Sequence, residues 1–298
     1  MAAQPQVEEA VESALAPRQR RPLARLLRYH SLVFGGALFL LLILAAALAP
    51  LLTRYNPDAV SALAALQGPS AAHWFGTDNL GRDVFARVLY GSRYTIGASF
   101  VAVLIAAVLG TLIGVVAGMA GGYIDLVFMR VVDLILIFPG ILPALAITTI
   151  LGPSLVNVVI AIGLSTIPSY ARVVQGTTQQ VKQMTYVESA RASGANTVRL
   201  IVHHVLPSVA SQIIVTASTG LGVSVLWVAA LGFLGLGVQP PTPELGAMLS
   251  DGRNYILLDW SMSFFPGLAI TLYVIAVNLM GDGLRDLLDP HAMQREGR

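Results

Sequence analysis

Residues 185–207, TYVESARASGANTVRLIVHHVLP, form a polar island between two long apolar runs. Thr185 and Glu188 have the S/T-x-x-E spacing of a capping box, in which hydroxyl and carboxylate satisfy reciprocal backbone donors, so a helix is predicted to start at Thr185. Ser189, Ala190, Ala192 and Ser193 keep that helix thin. Gly194 is placed to end it in the left-handed conformation. Asn196 is placed to cap a second helix running to Pro207, where the next apolar run begins. A thin, preformed helix on the water-facing side of a membrane protein suits insertion into a groove of another protein. Nothing in it points to catalysis.

The flanking runs belong to a membrane chain. Of the 298 residues 55% are hydrophobic and 11% are charged, whereas globular domains carry roughly 25% charged residues. The mean hydropathy is +0.73. A formal net charge of +2 is too small to suggest a nucleic-acid partner. The absence of cysteine excludes disulfides, thiolate chemistry and cysteine-ligated metals.

Apolar runs at 32–52, 94–119, 126–151, 155–173, 209–231 and 264–280 predict six membrane-spanning helices in an all-α fold. Ahead of the first, an acidic start (Glu8, Glu9, Glu12) gives way to Arg18, Arg20, Arg21, Arg25 and Arg28, a positive-inside anchor that reads as a cytoplasmic tail. A signal peptide cut after Ala47-Leu48-Ala49 is the rival reading, but the run is longer than the roughly 7–15 apolar residues such a peptide needs. Six crossings return the carboxyl end to the cytoplasm. Lys182, Arg191, Arg199, Arg285, Arg295 and Arg298 then fall inside, whereas Arg54, Arg82 and Arg87 fall outside.

Between the first two runs, Asp78 and Arg82, then Asp83 and Arg87, sit four apart, and Leu80, Val84, Val88 and Leu89 can share an apolar face. This predicts a short interfacial helix that braces the outer surface or touches substrate, with Trp74 and Tyr90 as interfacial aromatics. Gly110, Gly114 and Gly118 predict close helix packing in the second span. Arg130 and Asp133, three apart in the third span, are placed to pair with each other, as a structural pair or in gating. Pro139 and Pro143 predict a kink there, and Pro168 one in the fourth span. The breaker-rich run 231–244 predicts a rigid outer turn, with Glu244, Asp251, Arg253 and Asp259 offered to a partner, or a mere connector. Asp282, Asp286 and Asp289 lack calcium-loop spacing and read as cap and ion-pair groups.

At four places the chain resembles one family. Glu188-Ser189-Ala190, Gly194 and the run His204-Val205-Leu206-Pro207 look like the EAA motif of bacterial ABC-type import permeases, with Ser189 where Ala is usual. Gly76-Thr77-Asp78, then Gly81-Arg82-Asp83, resembles a signature of its dipeptide/oligopeptide/nickel group. The stretch from Phe233 to Gly246 and the carboxyl-terminal Asn278–Pro290 are similar to that group as well. The resemblance implies a six-helix permease of the type I ABC importer kind in the bacterial inner membrane. Its parts would be a cytoplasmic tail at 1–29, a first span and external segment at 30–92, a core permease domain at 93–285 and a carboxyl tail at 286–298. It also implies a second, related permease chain, two cytoplasmic ATPases and an extracytoplasmic solute-binding protein. The helix at 185–194 would be the coupling helix, with Thr185, Glu188, Ser189, Ala190, Gly194, His204 and Pro207 as the ATPase-coupling positions. Dipeptides, longer peptides, glutathione and nickel complexes remain open as cargo.

No catalytic, cofactor or metal constellation accompanies these motifs. The chain has no phosphate-binding G-x-x-x-x-G-K-[ST] loop, so nucleotide hydrolysis is expected in other subunits. His203 and His204 are adjacent and on a helix diverge by about 100°, which rules out a shared metal. No histidine or lysine lies in the six runs for serine-based proteolysis. A stand-alone ion-coupled transporter would show a mid-membrane carboxylate or an internal repeat, and neither is apparent. A membrane scaffold without transport stays open on composition alone.

Overall fold

The structure, a computed structural model, describes residues 29–288; most of the amino-terminal tail and, past Leu288, most of the carboxyl tail with Asp289 lie outside the described residues. In hydrocarbon no water bonds exposed N–H and C=O groups, so the apolar runs become helices that satisfy themselves. In chain order these are α1 (His30–Ala47), α2 (Ala49–Leu52), α3 (Val84–Ala120), α4 (Gly122–Leu136), α5 (Ile141–Leu151) and α6 (Leu155–Lys182). After them come α7 (Thr185–Ala192), α8 (Thr197–Leu200), a π turn (Ile201–Val205), α9 (Leu206–Phe233), α10 (Leu245–Arg253) and α11 (Ser261–Leu288). Among the described residues there is no β-strand, only one bridge between Thr77 and Asp83.

Among the described residues five helices are long and apolar enough to cross a membrane, and α4 with α5, bent by 87° at their junction, make a sixth, broken span when the bent pair is taken as one. The break sits where Pro139 has no N–H to continue the ladder, and Phe138 N–H falls back on the Ile135 carbonyl at 3.2 Å in a tighter turn. Pro168, in contrast, lies within a single helix, α6.

The bundle is built on the close pairing of α3 with α6. A Cβ at Gly110 would stand 2.5 Å from the Tyr170 Cβ, at Gly114 2.7 Å from the Ala171 carbonyl oxygen, and at Gly118 2.8 Å from the Thr178 Cβ. The three glycines thus let the two backbones meet, as their four-residue spacing predicts. The peripheral helix is α1, with 11% of its apolar window buried, against 39–44% for the other four long spans.

The second span departs from its sequence reading by starting ten residues early, at Val84 rather than Tyr94. No separate interfacial helix forms at 78–89. Asp83 instead accepts from Ala86 N–H at 2.7 Å, and this N-cap starts a single 37-residue helix. Such a helix is about 55 Å long, well beyond the ~30 Å hydrocarbon core, so its ends lie in the interfaces or beyond.

Candidate functional site

The polar island folds as a short helix pinned by one side chain. Val187 on α7 is fully buried and packs in a cluster with Val181, Leu200, Val205 and Val209, so the ends of α6 and α9 grip the helix from below. Thr185, Glu188, Ser189, Ala192 and Ser193 face away and are exposed. Ser189 and Ser193 hydroxyls each donate to the carbonyl four residues back, at 2.9 Å, so the outward face is slim and its hydroxyls are satisfied.

The end of α7 is fixed by Gly194, at φ +87°. Gly194 N–H donates to the Arg191 carbonyl at 3.0 Å and Ala195 N–H to the Ala190 carbonyl at 3.1 Å, the paired bonds of a Schellman stop. Asn196 Oδ1 then accepts from Arg199 N–H at 2.8 Å and opens α8 as its sequence predicts.

Two readings of this stretch are corrected. Met184, not Thr185, is the N-cap, and no side chain caps α7; Thr185 already lies in the first turn, so the reciprocal capping box does not form. The second helix also does not end at Pro207. It widens into the π turn, which carries His203 and His204, and runs into α9 with Pro207 in the first turn. Proline lacks the N–H that would bond four residues back, and a local π register accommodates that loss without breaking the rod. His204 lies against Tyr186 at a ring distance of 5.8 Å, and the Tyr186 hydroxyl is 3.3 Å from Ser208 Oγ, so α7 also leans on the base of α9.

Polar ties lock the same end of the bundle. Asp125 Oδ1 and Oδ2 accept from Gln175 Nε2 and Gln179 Nε2, both at 2.9 Å, joining α4 to α6. Lys182 Nζ donates to the Met119 carbonyl at 2.7 Å. The sequence reading missed these partners. A lone lysine just after an apolar run, with amide side chains one turn apart, was the available signal.

The pairing expected within α4 does not occur. Asp133 forms its ion pair with Arg172 on α6, and Arg130 is exposed. Asp133 adjoins Val132, which is buried, so it sits on the edge of α4 that approaches α6. Arg172, at the carboxyl end of the fourth run, is the residue overlooked.

At the far end of α3 the Gly76–Asp83 signature folds as a charged knot. Thr77, Asp78, Arg82, Asp83 and Arg87 are all at most 6% exposed. Asp78 Oδ1 accepts from the N–H groups of Leu80 and Arg82, both at 2.9 Å, and its Oδ2 meets Arg82 Nε at 2.6 Å. Arg87 does not turn to Asp83; it bridges Asp78 at 3.6 Å and Asp58 at 3.5 Å and donates to the Pro57 carbonyl at 2.9 Å. Asp83 instead meets His73 Nδ1 at 2.8 Å. Gly76 and Gly81 hold positive φ, +77° and +73°, and a side chain at Gly81 would run into the Ser61 carbonyl. The Asp78–Arg82 pair therefore spans a turn, not a helix. The knot consumes its own charges, which is what bracing requires.

Two acidic groups expected at the outer surface are also turned inward. Glu244 is 1% exposed and caps α10, accepting from Gly246 N–H at 3.0 Å, Ala247 N–H at 2.9 Å and the Thr95 hydroxyl at 2.8 Å. Burial pushes its pKa up, opposed by those three hydrogen bonds. Asp259, 5% exposed, accepts from Ser261 N–H at 2.9 Å at the start of α11. Asp251 and Arg253 remain at the surface.

The comparisons with known proteins agree with this architecture. Residues 110–294 match the family described as "Binding-protein-dependent transport system inner membrane component", and residues 20–69 match the "N-terminal TM domain of oligopeptide transport permease C". The chain is 45% identical over 267 residues, 89% of each chain, to the "Glutathione transport system permease protein GsiD" of Pectobacterium atrosepticum. It is 47% identical over 249 residues to the "Dipeptide transport system permease protein DppC" of Alkalihalophilus pseudofirmus, covering 83% of this chain and 82% of the relative. Against the "Probable D,D-dipeptide transport system permease protein DdpC" of Escherichia coli it is 44% identical over 260 residues, 87% of each. A solved inward-facing MetNI methionine ABC transporter shares the fold, with a TM-score of 0.56 over 68% of this chain and 96% of that chain at 18% identity. On these matches, the three relatives spanning the knot, the broken span and the polar island together, the chain belongs to the family of binding-protein-dependent transport system inner membrane components.

Proposed function

We propose that this chain is the permease subunit of an ATP-driven importer for di- and oligopeptides, with α7 as the helix through which partner ATPases drive it. The observation that carries the reading is the seating of α7. It is gripped by Val187 between the ends of α6 and α9, while Thr185, Glu188, Ser189, Ala192 and Ser193 form a slim exposed face whose serine hydroxyls bond back within α7. A push on α7 therefore reaches two long spans at once. Closure of an ATPase pair would rotate these spans as levers between inward- and outward-facing arrangements.

The remaining parts follow the same scheme. A second permease chain of different sequence encloses the path, two cytoplasmic ATPases supply the work, and an extracytoplasmic binding protein delivers cargo at the end that carries the charged knot. Both termini lie in the cytoplasm. The Asp133–Arg172 pair, at the seam of the broken span and α6, serves as a gating contact. Glutathione is the second cargo to test, because the relatives are named for glutathione as well as for dipeptides. The absence of a nucleotide loop and the family match both argue against a self-powered transporter.

The test is ATPase stimulation in the reconstituted complex. Loaded binding protein should stimulate hydrolysis in the wild type and fail to do so in Gly194→Val, in which the stop of α7 is strained at φ +87°. Assembly and membrane insertion should be retained. Full stimulation in the variant would sink the coupling role. Calorimetric titration of the cognate binding protein with dipeptides, longer peptides and glutathione then assigns the cargo.

A further inference from the structure

We propose that the groove between α1, α3 and α11, near the outer ends of α1 and α3, holds an acyl chain of an anionic phospholipid whose phosphate sits on Arg93. The groove has a volume of about 470 Å³ and is lined by Ile43, Ala46, Ile96, Gly97 and Tyr273 among others. Its walls are mostly apolar: the Ser92 and Tyr273 hydroxyls are spent on the Val88 and Leu42 carbonyls, and the one charge is Arg93 at the rim. An open, apolar-walled groove on the least buried span of a membrane protein is bathed by lipid tails, so the occupant is set by the solvent.

Within this groove lies a glycine with no reason inside the chain. Gly97 is in the interior of α3, where glycine costs conformational entropy. A Cβ built there meets nothing within 4 Å, unlike the glycines that seat α6. The packing of this chain does not ask for a glycine at this position. A ligand running along the groove does, because a side chain would occupy its path.

Charge at the rim points the same way. Arg93 is exposed and, among the described residues, pairs with no carboxylate. Its Nε donates to the Ala46 carbonyl at 2.6 Å and Nη2 to the Ala47 carbonyl at 2.9 Å, which caps α1, and its guanidinium lies 4.8 Å from the Tyr90 ring centroid. These contacts fix the plane of the fork and leave Nη1 pointing donors elsewhere. Beside it opens a second cleft of about 600 Å³, lined by Arg54, Tyr90, Tyr94 and Asp58. Asp58 already pairs with Arg87, so the net character of this mouth is cationic and aromatic. A phosphate diester with an apolar tail matches a cation at the rim of a mostly apolar groove, and a phosphate without a tail leaves the groove unused.

The experiment uses the full-length chain, purified with its co-purifying subunits in mild detergent and offered equal amounts of phosphatidylglycerol and phosphatidylethanolamine with matched chains. Bound lipid is counted by native mass spectrometry. The wild type should retain phosphatidylglycerol over phosphatidylethanolamine by about tenfold, the factor carried by one charge-assisted hydrogen bond. Arg93→Gln should bring that ratio close to unity, and Arg93→Lys should keep most of it. Gly97→Leu, which projects into open space and spares the fold, should lose both lipids. Equal retention of the two lipids by the wild type, undiminished phosphatidylglycerol on Gly97→Leu, or displacement by inorganic phosphate alone would each overturn the proposal. Should Arg93→Gln fail to fold, the Gly97→Leu result decides.

Discussion

Lys182 Nζ donates to the Met119 carbonyl 2.7 Å away, so the last turn of α6 holds the last turn of α3 immediately before the chain enters α7. Helix ends leave carbonyls without partners, and a cation there also meets the negative end of the helix dipole. Lys182→Ala is expected to cost ~1 kcal/mol of stability and to lower transport without loss of assembly. Lys182→Arg should restore both. Thermal unfolding in detergent and uptake in proteoliposomes check this, and unchanged uptake in the alanine variant would show that the tie is not on the coupling route.

Burial raises the pKa of Glu244, so the folded chain holds that proton more tightly than the unfolded chain does. The stability it contributes is fully present below the unfolded carboxylate pKa of about 4.3 and is lost as pH rises through the raised folded value. Glu244→Gln removes this titration. The melting temperature of the wild type minus that of the variant should therefore fall as pH rises above the unfolded value of about 4.3, and parallel curves would contradict the assignment. Glu244→Ala should be worse at every pH, by ~2 kcal/mol, because the Gly246 and Ala247 N–H groups lose their acceptor in a buried place.

Much of this architecture is written in the sequence at the level of runs and breakers. Six apolar runs, the Pro139 break, the Gly110–Gly114–Gly118 ridge and the Gly194 stop are local features, and each has the geometry its chemistry requires. Charge partners were not legible. Asp133 lies three residues from Arg130 and chooses Arg172; Asp83 lies four from Arg87 and chooses His73. Spacing along one helix says which groups can meet, but tertiary packing decides which do. Glu244 and Asp259 mislead for a related reason. A carboxylate ahead of a helix looks like a surface charge, yet it can fold inward when helix N–H groups supply its hydrogen bonds. The capping box at Thr185 failed because the helix began one residue earlier in register than the motif assumes.

Gly114 and Gly176 should separate packing from backbone effects. Gly114→Val must push its side chain into the Ala171 carbonyl and Val174, so an overpacking loss of ~1–3 kcal/mol is expected. Gly176, inside α6, meets nothing within 4 Å, so Gly176→Ala should be neutral or gain up to ~1 kcal/mol. Unfolding temperatures of the two variants give the comparison. A Gly176→Ala loss as large as that of Gly114→Val would mean that a partner subunit covers the outer face of α6.

The Asp133–Arg172 pair is the clearest place to ask whether the broken span moves during transport. Both side chains are nearly half exposed, 47% and 41%, and exposed ion pairs contribute only ~0.2–1 kcal/mol in water. Near hydrocarbon, leaving either charge without its partner costs more than the pairing itself contributes in water. Single reversals, Asp133→Arg or Arg172→Asp, place like charges across the α4–α6 seam and should splay it. The expected result is reduced uptake and raised ATPase activity in the absence of binding protein. The double reversal restores opposite charges and should recover most of both. Recovery would assign the two residues to one contact that holds a closed state, whereas a double variant no better than its parents would assign each to a separate environment.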